Sequence, residues 1–324
     1  MILVTGATGH IGNVLVRELV ERGNSIRALV MRGEDSHAID GLGVELVEGD
    51  VLDPPSLSRA MQGVSQVFHL AGIISIMPGQ DELVHRVNVE GTRNILAAAR
   101  ECGVRQVLYT SSIHAFRRLP GNDLEIDESH PIDPQGSLGA YDHSKAEATL
   151  EALSAARSGQ DVVIVCPTGV IGPGDYRGSE MGQVLVGCDR EGPQLYIDGG
   201  YDFVDVRDVA RGMIQAAERG KPGECYILSG HQVSVIDLIQ QVRKITKKPV
   251  RAIWLPTWLA RFAAVFAPLY YQISRQRPVF TPYSLATLRS NSQISSAKAR
   301  RELGYTTRPL QDTLRDTLQW HRKK

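Results

Sequence analysis

Neither sign of charge dominates this chain of 324 residues. Its 36 basic and 36 acidic side chains cancel to a formal net charge of zero, so the electrostatic footprint of a nucleic-acid binder is missing. Cysteine is scarce. Cys102, Cys166, Cys188 and Cys225 are scattered, with no C-x-x-C or Cys/His ligand spacing, which excludes a disulfide framework or a zinc ribbon. Cys102, Cys166 and Cys225 read as reduced packing residues. The nine histidines form no H-E-x-x-H or similar pattern, so no metal is expected. Long apolar runs are lacking too. The most apolar stretch, Ile253 to Tyr271, is broken by Pro256, Arg261 and Pro268, far short of the roughly 18 residues that a membrane span needs. An amphipathic helix from about Trp258 to Ala267, resting on a substrate pocket or a partner, is expected there, with membrane-surface contact the lesser alternative. The first strand starts at residue 2 and leaves no room for a leader, so the expected location is cytoplasmic.

What is present begins at once. Met1-Ile2-Leu3-Val4 is a short apolar run that ends in Thr5-Gly6-Ala7-Thr8-Gly9-His10-Ile11-Gly12 and then enters a helix, Ile11 to about Arg22. A buried strand that breaks into glycines three apart before a helix suits a pyrophosphate. Glycine permits the tight turn, and the bare backbone lets a diphosphate sit against the amides of the helix N-terminus. Far downstream stands Tyr141-Asp142-His143-Ser144-Lys145. Residues four apart share a helical face, so phenol and ammonium point into one site. A phenol with a pKa of about 10 is a poor base at neutral pH, and a nearby lysine charge lowers that value by roughly 1–3 units. Between the two lies Gln106-Val107-Leu108-Tyr109-Thr110-Ser111-Ser112, an apolar strand that ends in hydroxyls. Ser112 can donate a hydrogen bond to a substrate oxygen; the alternative is that Ser111 and Ser112 only cap the strand end.

Strand-like and helix-like patterns alternate through residue 167, the sign of right-handed βαβ units and a parallel sheet. The helices include a long one over Asp81–Cys102 and one at Tyr141. The glycine loop, the later serine and Y-x-x-x-K occur in the order of the short-chain dehydrogenase/reductase family, which this chain resembles. Asn88-Val89-Glu90-Gly91-Thr92, Phe203 to Ala210 and the tail Ala297 to Tyr305 are similar to its extended branch. That branch contains nucleotide-sugar epimerases and dehydratases, dihydroflavonol reductases and 3β-hydroxysteroid dehydrogenases. The resemblance implies an α/β fold: a Rossmann-type doubly wound parallel sheet with a smaller α+β C-terminal substrate lobe. Residues 1–167 plus about 201–227 would form the dinucleotide domain, and 168–200 with 228–324 the substrate lobe.

The resemblance also implies roles. Ser112, Tyr141 and Lys145 would be catalytic. Gly6, Thr8, Gly9, His10, Ile11 and Gly12 would hold the cofactor, together with Asp50 and Val51 at the adenine. Leu70, Ala71, Gly72, Asn88, Thr110, Pro167, Thr168, Gly169 and Val170 complete the set, with Tyr141 and Lys145 at the ribose. Asn88 supports a relay water or merely kinks its helix. NAD enzymes place an acid near the end of the second strand. Here Val30 stands in its place and Arg32 follows. A guanidinium suits a 2′-phosphate, so NADP is favoured and NAD remains possible; the alternative is that Arg32 is a solvated loop charge.

The substrate reading rests on missing cations. Sugar-nucleotide members tend to carry R-x-x-N-x-Y-G-P after the sixth strand and R-D-F-V/I-H before the later helix. This chain has Cys166 and Gly169 in the first and Tyr201-Asp202-Phe203-Val204-Asp205 in the second. A bidentate phosphate clamp is lost there, and Asp205 adds negative charge. The expected function is an NAD(P)-dependent oxidoreductase acting on a ketone or secondary alcohol of a fairly apolar small molecule. The alternatives are a nucleotide-sugar epimerase or dehydratase with tightly bound NAD, in which Arg177 or Arg289 replaces the lost clamps, and a non-catalytic NADP sensor. A homodimer through Asp81–Cys102 and Tyr141–Arg157 is expected, with Ala98, Ala146, Ala152 and Ala156 allowing close approach.

Overall fold

The first six strands of the chain belong to one seven-stranded sheet: β1 (Ile2–Thr5), β2 (Ile26–Val30), β3 (Glu45–Glu48), β4 (Gln66–His69), β5 (Gln106–Thr110) and β6 (Val162–Pro167). The computed structural model describes residues 1–74, 79–117, 125–136, 139–260, 262, 282–290 and 293–323. The six strands lie in the order 3-2-1-4-5-6 and every pairing is parallel. The order reverses between β1 and β4. Connections leave these two strands toward opposite sides, and a crevice opens beyond their C-terminal ends.

A sheet covered on both faces needs apolar side chains on both, which is why β1, β5 and β6 read as continuous hydrophobic runs. Val4, Phe68, Leu108 and Val163 face one side, where they meet Leu15, Val16 and Leu19 of α1 (His10–Glu21). Leu3, Val67, Val107 and Ile164 face the other, against Leu57 of α2 (Pro54–Ala60), Ile95 and Ala99 of α4 (Gly91–Glu101), and Ala148 and Ala152 of α5 (Ala140–Arg157). Leu3, Leu15, Leu57 and Leu108 are wholly buried, each a gain of about 1.5–3 kcal/mol over exposure. The helix expected over Asp81–Cys102 is interrupted. α3 (Asp81–His85) passes into a π-helical turn, Arg86–Glu90, before α4.

After β6 the chain leaves the sheet. β7 (Gly169–Ile171), α6 (Glu180–Cys188), β8 (Gln194–Tyr196) and β9 (Gly200–Asp205) follow, and then α7 (Val206–Arg219) and β10 (Cys225–Leu228). Next come β11 (His231–Ser234), α8 (Val235–Thr246) and β12 (Ala252–Trp254). β9 pairs with β7 in parallel and with β11 antiparallel, while β12 pairs with β8. The expected return to the nucleotide unit at residue 201 therefore comes later. β9 belongs to the second sheet, and the return starts with α7, which packs on α1, and is completed by β10 beside β6. The tail also divides. The helix Ala297–Leu303 packs on α7 and β10 of the first unit, and the helix Leu310–Lys323 on α6 and α8 of the second. Ala299, Leu303 and Tyr305 join the first core because their apolar face meets α7.

Ser234 caps α8 as its S-x-x-D pattern requires, its hydroxyl oxygen accepting from the Asp237 amide. Cys166, Cys188 and Cys225 are buried, but Cys102 is exposed, since it caps the C-terminal end of α4 rather than its inner face. The helix expected from Trp258 to Ala267 lies largely outside the described residues. Among the described residues no helix is long and apolar enough to cross a membrane, and no group of side chains could hold a metal ion.

Candidate active site

The glycine loop leaves β1 at the crevice. Gly6 has φ +69°, and a Cβ on it would stand 2.8 Å from the Ala71 amide nitrogen, so the loop lies against the chain leaving β4. A Cβ on Gly12 would collide with the Gly6 carbonyl oxygen. These two positions bring α1 hard up to the loop. α1 starts at Gly9 without a side-chain cap, which leaves its first amides to a ligand anion. The residues thus fit a diphosphate at Gly9, His10 and Ile11. The His10 side chain turns away, to the Pro173 carbonyl at 3.3 Å, and burial pushes its imidazole pKa down.

Behind the loop a buried polar chain joins β1, β4 and α4. The Thr5 hydroxyl oxygen accepts from the amides of Leu70 (3.2 Å) and Ala71 (3.1 Å). Its own hydrogen is left for His69 Nδ1 at 2.8 Å. His69 then carries its hydrogen on Nε2, which meets Thr92 Oγ1 at 3.1 Å, and Thr92 donates to the Asn88 carbonyl at 2.6 Å. Burial, with a smaller push from Lys145, lowers the His69 pKa to about 3, so it stays neutral.

Asn88 lies in the π turn. Its Oδ1 accepts from the Ile73 amide at 2.8 Å, and Nδ2 donates to the Ile73 carbonyl (3.0 Å) and to Ser144 Oγ (2.9 Å). Its amide ties the segment after β4 to α5. Leu70 and Ala71 are half-buried at this mouth, and a Cβ on Gly72 would stand 3.0 Å from Asn88 Oδ1 and 3.8 Å from Lys145 Nζ.

Tyr141 and Lys145 open α5, one turn apart, and both are buried. Lys145 gives one hydrogen to the Thr110 carbonyl at 2.8 Å and lies 5.2 Å from the centre of the Tyr109 ring. Burial pushes its pKa down to about 8. The buried Thr110 Oγ1 has no hydrogen-bond partner among the described residues. A buried ammonium using one hydrogen, beside an unpartnered hydroxyl, fits the hydroxyls of a ribose. Ser111 and Ser112 have diverged in role. Ser111 Oγ lies 2.5 Å from Thr149 Oγ1 and stitches β5 to α5. Ser112 caps the short 3-10 turn Ile113–Ala115, accepting from the His114 amide at 3.2 Å, and that turn packs on α5 beside Tyr141.

Three residues of this site had little sequence signal. The His114 ring meets Tyr141 edge-on at 5.4 Å, and His114 Nδ1 lies 2.7 Å from the buried Asp142 carboxylate. The Tyr283 hydroxyl, from the helix Pro282–Arg289, reaches both at once. His114 and Asp142 stand next to recognised motifs, but 28 positions separate them, and only the fold brings Tyr283 in.

The remaining expected cofactor residues are placed as follows. Arg32 is exposed beyond β2. Asp50 Oδ1 accepts from the Leu52 amide at 2.9 Å, and Val51 is buried against Gly91. Pro167 ends β6, and Thr168 gives its hydroxyl to Asp202 at 2.6 Å. Gly169 and Val170 lie in β7, opposite Phe203 and Val204. Asp205 is not a free negative charge at the substrate. It caps α7 and is bound by Arg207 at 2.8 Å, with Arg308 at 3.6 Å. Burial pushes its carboxyl up, but the Arg207 bonds outweigh that and hold it below the usual range.

Comparison with known proteins agrees with this geometry. The NAD dependent epimerase/dehydratase family matches residues 2–229. The chain is 34% identical to sterol demethylase protein B of Methylococcus capsulatus, over 99% of this chain and 98% of that one. It is 35% identical to a putative dihydroflavonol 4-reductase of Synechocystis, over 98% and 93%. The crystal structure of gox2253 superposes with a TM-score of 0.88 at 35% identity, covering 100% of this chain and 98% of the other. With its doubly wound sheet, glycine loop and Tyr-Lys helix, the chain belongs to the NAD dependent epimerase/dehydratase family and is an NAD(P)-dependent oxidoreductase of the extended short-chain dehydrogenase/reductase type.

Proposed function

We propose that the protein interconverts a ketone and a secondary alcohol on a fairly apolar small molecule, with Ser112, Tyr141 and Lys145 at the reacting centre. The observation that carries this reading is the Lys145 ammonium, buried one turn from Tyr141 and anchored on Thr110. A bound nicotinamide would supply or take the hydride. Ser112 donates to the substrate oxygen. Tyr141 delivers the proton in reduction and removes it in oxidation. The lysine charge favours the phenolate that this exchange needs.

The apolar substrate class draws support from two sides. The relatives are named for a sterol and for a dihydroflavonol. The cations that a sugar nucleotide needs are engaged or lacking: Gly169 offers no side chain, Arg207 and Arg308 bind Asp205 and Asp208, and Arg177 binds Glu34. The Arg289 side chain lies outside the described residues. Arg32, exposed past β2, suits the 2′-phosphate of NADP, but the Glu34 carboxylate beside it opposes one.

Two measurements test the reading. Tyr141→Phe is expected to lower turnover by about 10²–10⁴-fold, the scale of general acid catalysis, with dinucleotide affinity nearly intact. Calorimetry with UDP-hexoses is expected to give Kd no tighter than roughly millimolar, about −4 kcal/mol. Full activity in Tyr141→Phe rejects the mechanism, and micromolar UDP-hexose binding rejects the substrate class.

A further inference from the structure

The end of β2 carries no acid, but the loop after it returns one. The turn closes with the Glu34 amide on the Met31 carbonyl at 3.0 Å, around Gly33 at φ +74°. This brings the Glu34 carboxylate back over the glycine loop. Oε1 accepts the Thr8 hydroxyl at 2.5 Å and Oε2 the Met31 amide at 2.8 Å. Arg177, from the loop between β7 and α6, reaches across to the same point. Its Nη2 lies 2.5 Å from Glu34 Oε1 and 2.6 Å from Thr8 Oγ1. Only 13% of the Glu34 side chain is exposed. Burial pushes its carboxyl pKa up, but the Thr8 hydroxyl, the Met31 amide and Arg177 outweigh that, so it is ionised at neutral pH.

Topology says what this carboxylate faces. Tyr141 and Lys145 lie on the β4–β5 side of the crevice, and the α1 N-terminus lies at its middle. A dinucleotide whose nicotinamide is at Tyr141 and whose diphosphate is at α1 must extend its adenosine over β2. Glu34 stands on that ground, hydrogen-bonded to the glycine loop itself. Beside it opens a cavity of about 410 Å³, where Arg177 and Lys323 are matched by Asp35 and by the neighbouring Glu34. A phosphate dianion needs surplus positive charge, and the surplus here is already neutralised.

We propose that Glu34 rather than Arg32 selects the cofactor: it accepts one hydroxyl of the adenosine ribose and favours NAD, and Arg177 is the positioning residue that holds it there from the second unit. This inference rests on the dinucleotide reading above. With three of its four acceptor positions taken by Thr8, Met31 and Arg177, the carboxylate has one left for a hydroxyl hydrogen, and it repels a 2′-phosphate at the same place.

The test is calorimetric titration of the full chain with NAD and with NADP, for wild type and for Glu34→Gln, Arg32→Ala and Arg177→Leu, with a thermal melt of each. Wild type is expected to bind NAD at least about tenfold tighter than NADP, the scale of a hydrogen bond to a charged group. Glu34→Gln, nearly isosteric, should lower that ratio about tenfold or invert it, by weakening NAD and strengthening NADP. Arg177→Leu should weaken NAD severalfold and leave NADP no tighter. Arg32→Ala should hardly move the ratio. Wild-type preference for NADP that Arg32→Ala removes would overturn the assignment, as would a Glu34→Gln that weakens both equally at an unchanged melting point. Should Glu34→Gln not fold, the ratios in wild type and Arg32→Ala still decide. Binding of neither dinucleotide by a folded wild type rejects the dinucleotide reading itself, an outcome distinct from equal binding of both.

Discussion

Lys145 holds its charge against its surroundings, and that has a measurable consequence. Burial disfavours the ammonium and brings its pKa from 10.5 to about 8. Below pH 8 the lysine is charged in the folded and unfolded chain alike, and folding bears the full cost of burying it. Between pH 8 and 10.5 the folded protein loses the proton first, so this group's destabilising contribution fades as pH rises. Dinucleotide binding runs the other way, because it uses the ammonium. Affinity measured by titration from pH 6.5 to 9.5 is expected to fall with a midpoint near 8 in wild type and to show no such step in Lys145→Met. A wild-type profile flat through that range would remove Lys145 from the ribose site. At this scale the sequence was readable where a motif sets a spacing, as with Tyr141 one turn before Lys145 on α5. It was silent on Glu34 and Tyr283, because their partners lie 26 and 169 positions away.

Among the elements, the interrupted helix Asp81–Glu101 decides most about the site. A π turn adds one residue to the repeat, and it delivers Asn88 to both Ile73 and Ser144. Asn88→Ala would strand the Ile73 amide and carbonyl and one acceptor on Ser144. The expected loss of stability is about 1–3 kcal/mol, read as a lower urea midpoint with an unchanged slope, together with a KM for the dinucleotide raised more than kcat is lowered. An unchanged midpoint would mean that the π turn is held by something else. The glycine loop gives a second case. Gly12→Ala would drive α1 away from Gly6, and dinucleotide affinity should fall by at least about tenfold even where the chain still melts cooperatively; retained affinity would show that the loop tolerates the shift.

For the whole molecule, the expected dimer remains a proposal, and its surface must be redrawn. Ala98, Ala146 and Ala152 are buried within the chain, Ala98 and Ala152 in the core under the sheet, so they cannot meet a partner. Arginine at 152 would bury an unpaired charge and unfold the chain. The exposed part of these helices includes Leu83, 45% exposed, and Leu150, 37% exposed, the latter next in sequence to Glu151 of the Arg93–Glu151 pair at 2.6 Å. We propose that a two-fold contact centres there. Light scattering is expected to give twice the mass of one chain for wild type and the mass of one chain for Leu150→Glu, with the melting point of the isolated fold retained. A wild-type particle of single-chain mass would end the proposal.

Local patterns carried the architecture. Alternating apolar runs and helical periods, glycines at Gly6, Gly9 and Gly12, and Tyr141 one turn before Lys145 depend on residues close in the chain, whose physics needs no distant partner. Tertiary structure alone decided where β9 pairs and that the tail divides between two units. It alone brought Arg308 to Asp205 and Asp208, and brought Glu34 onto the glycine loop. Each of these is a meeting of residues far apart in sequence, set by which apolar faces find each other and which buried charges must be paired. A linear pattern holds no record of that choice.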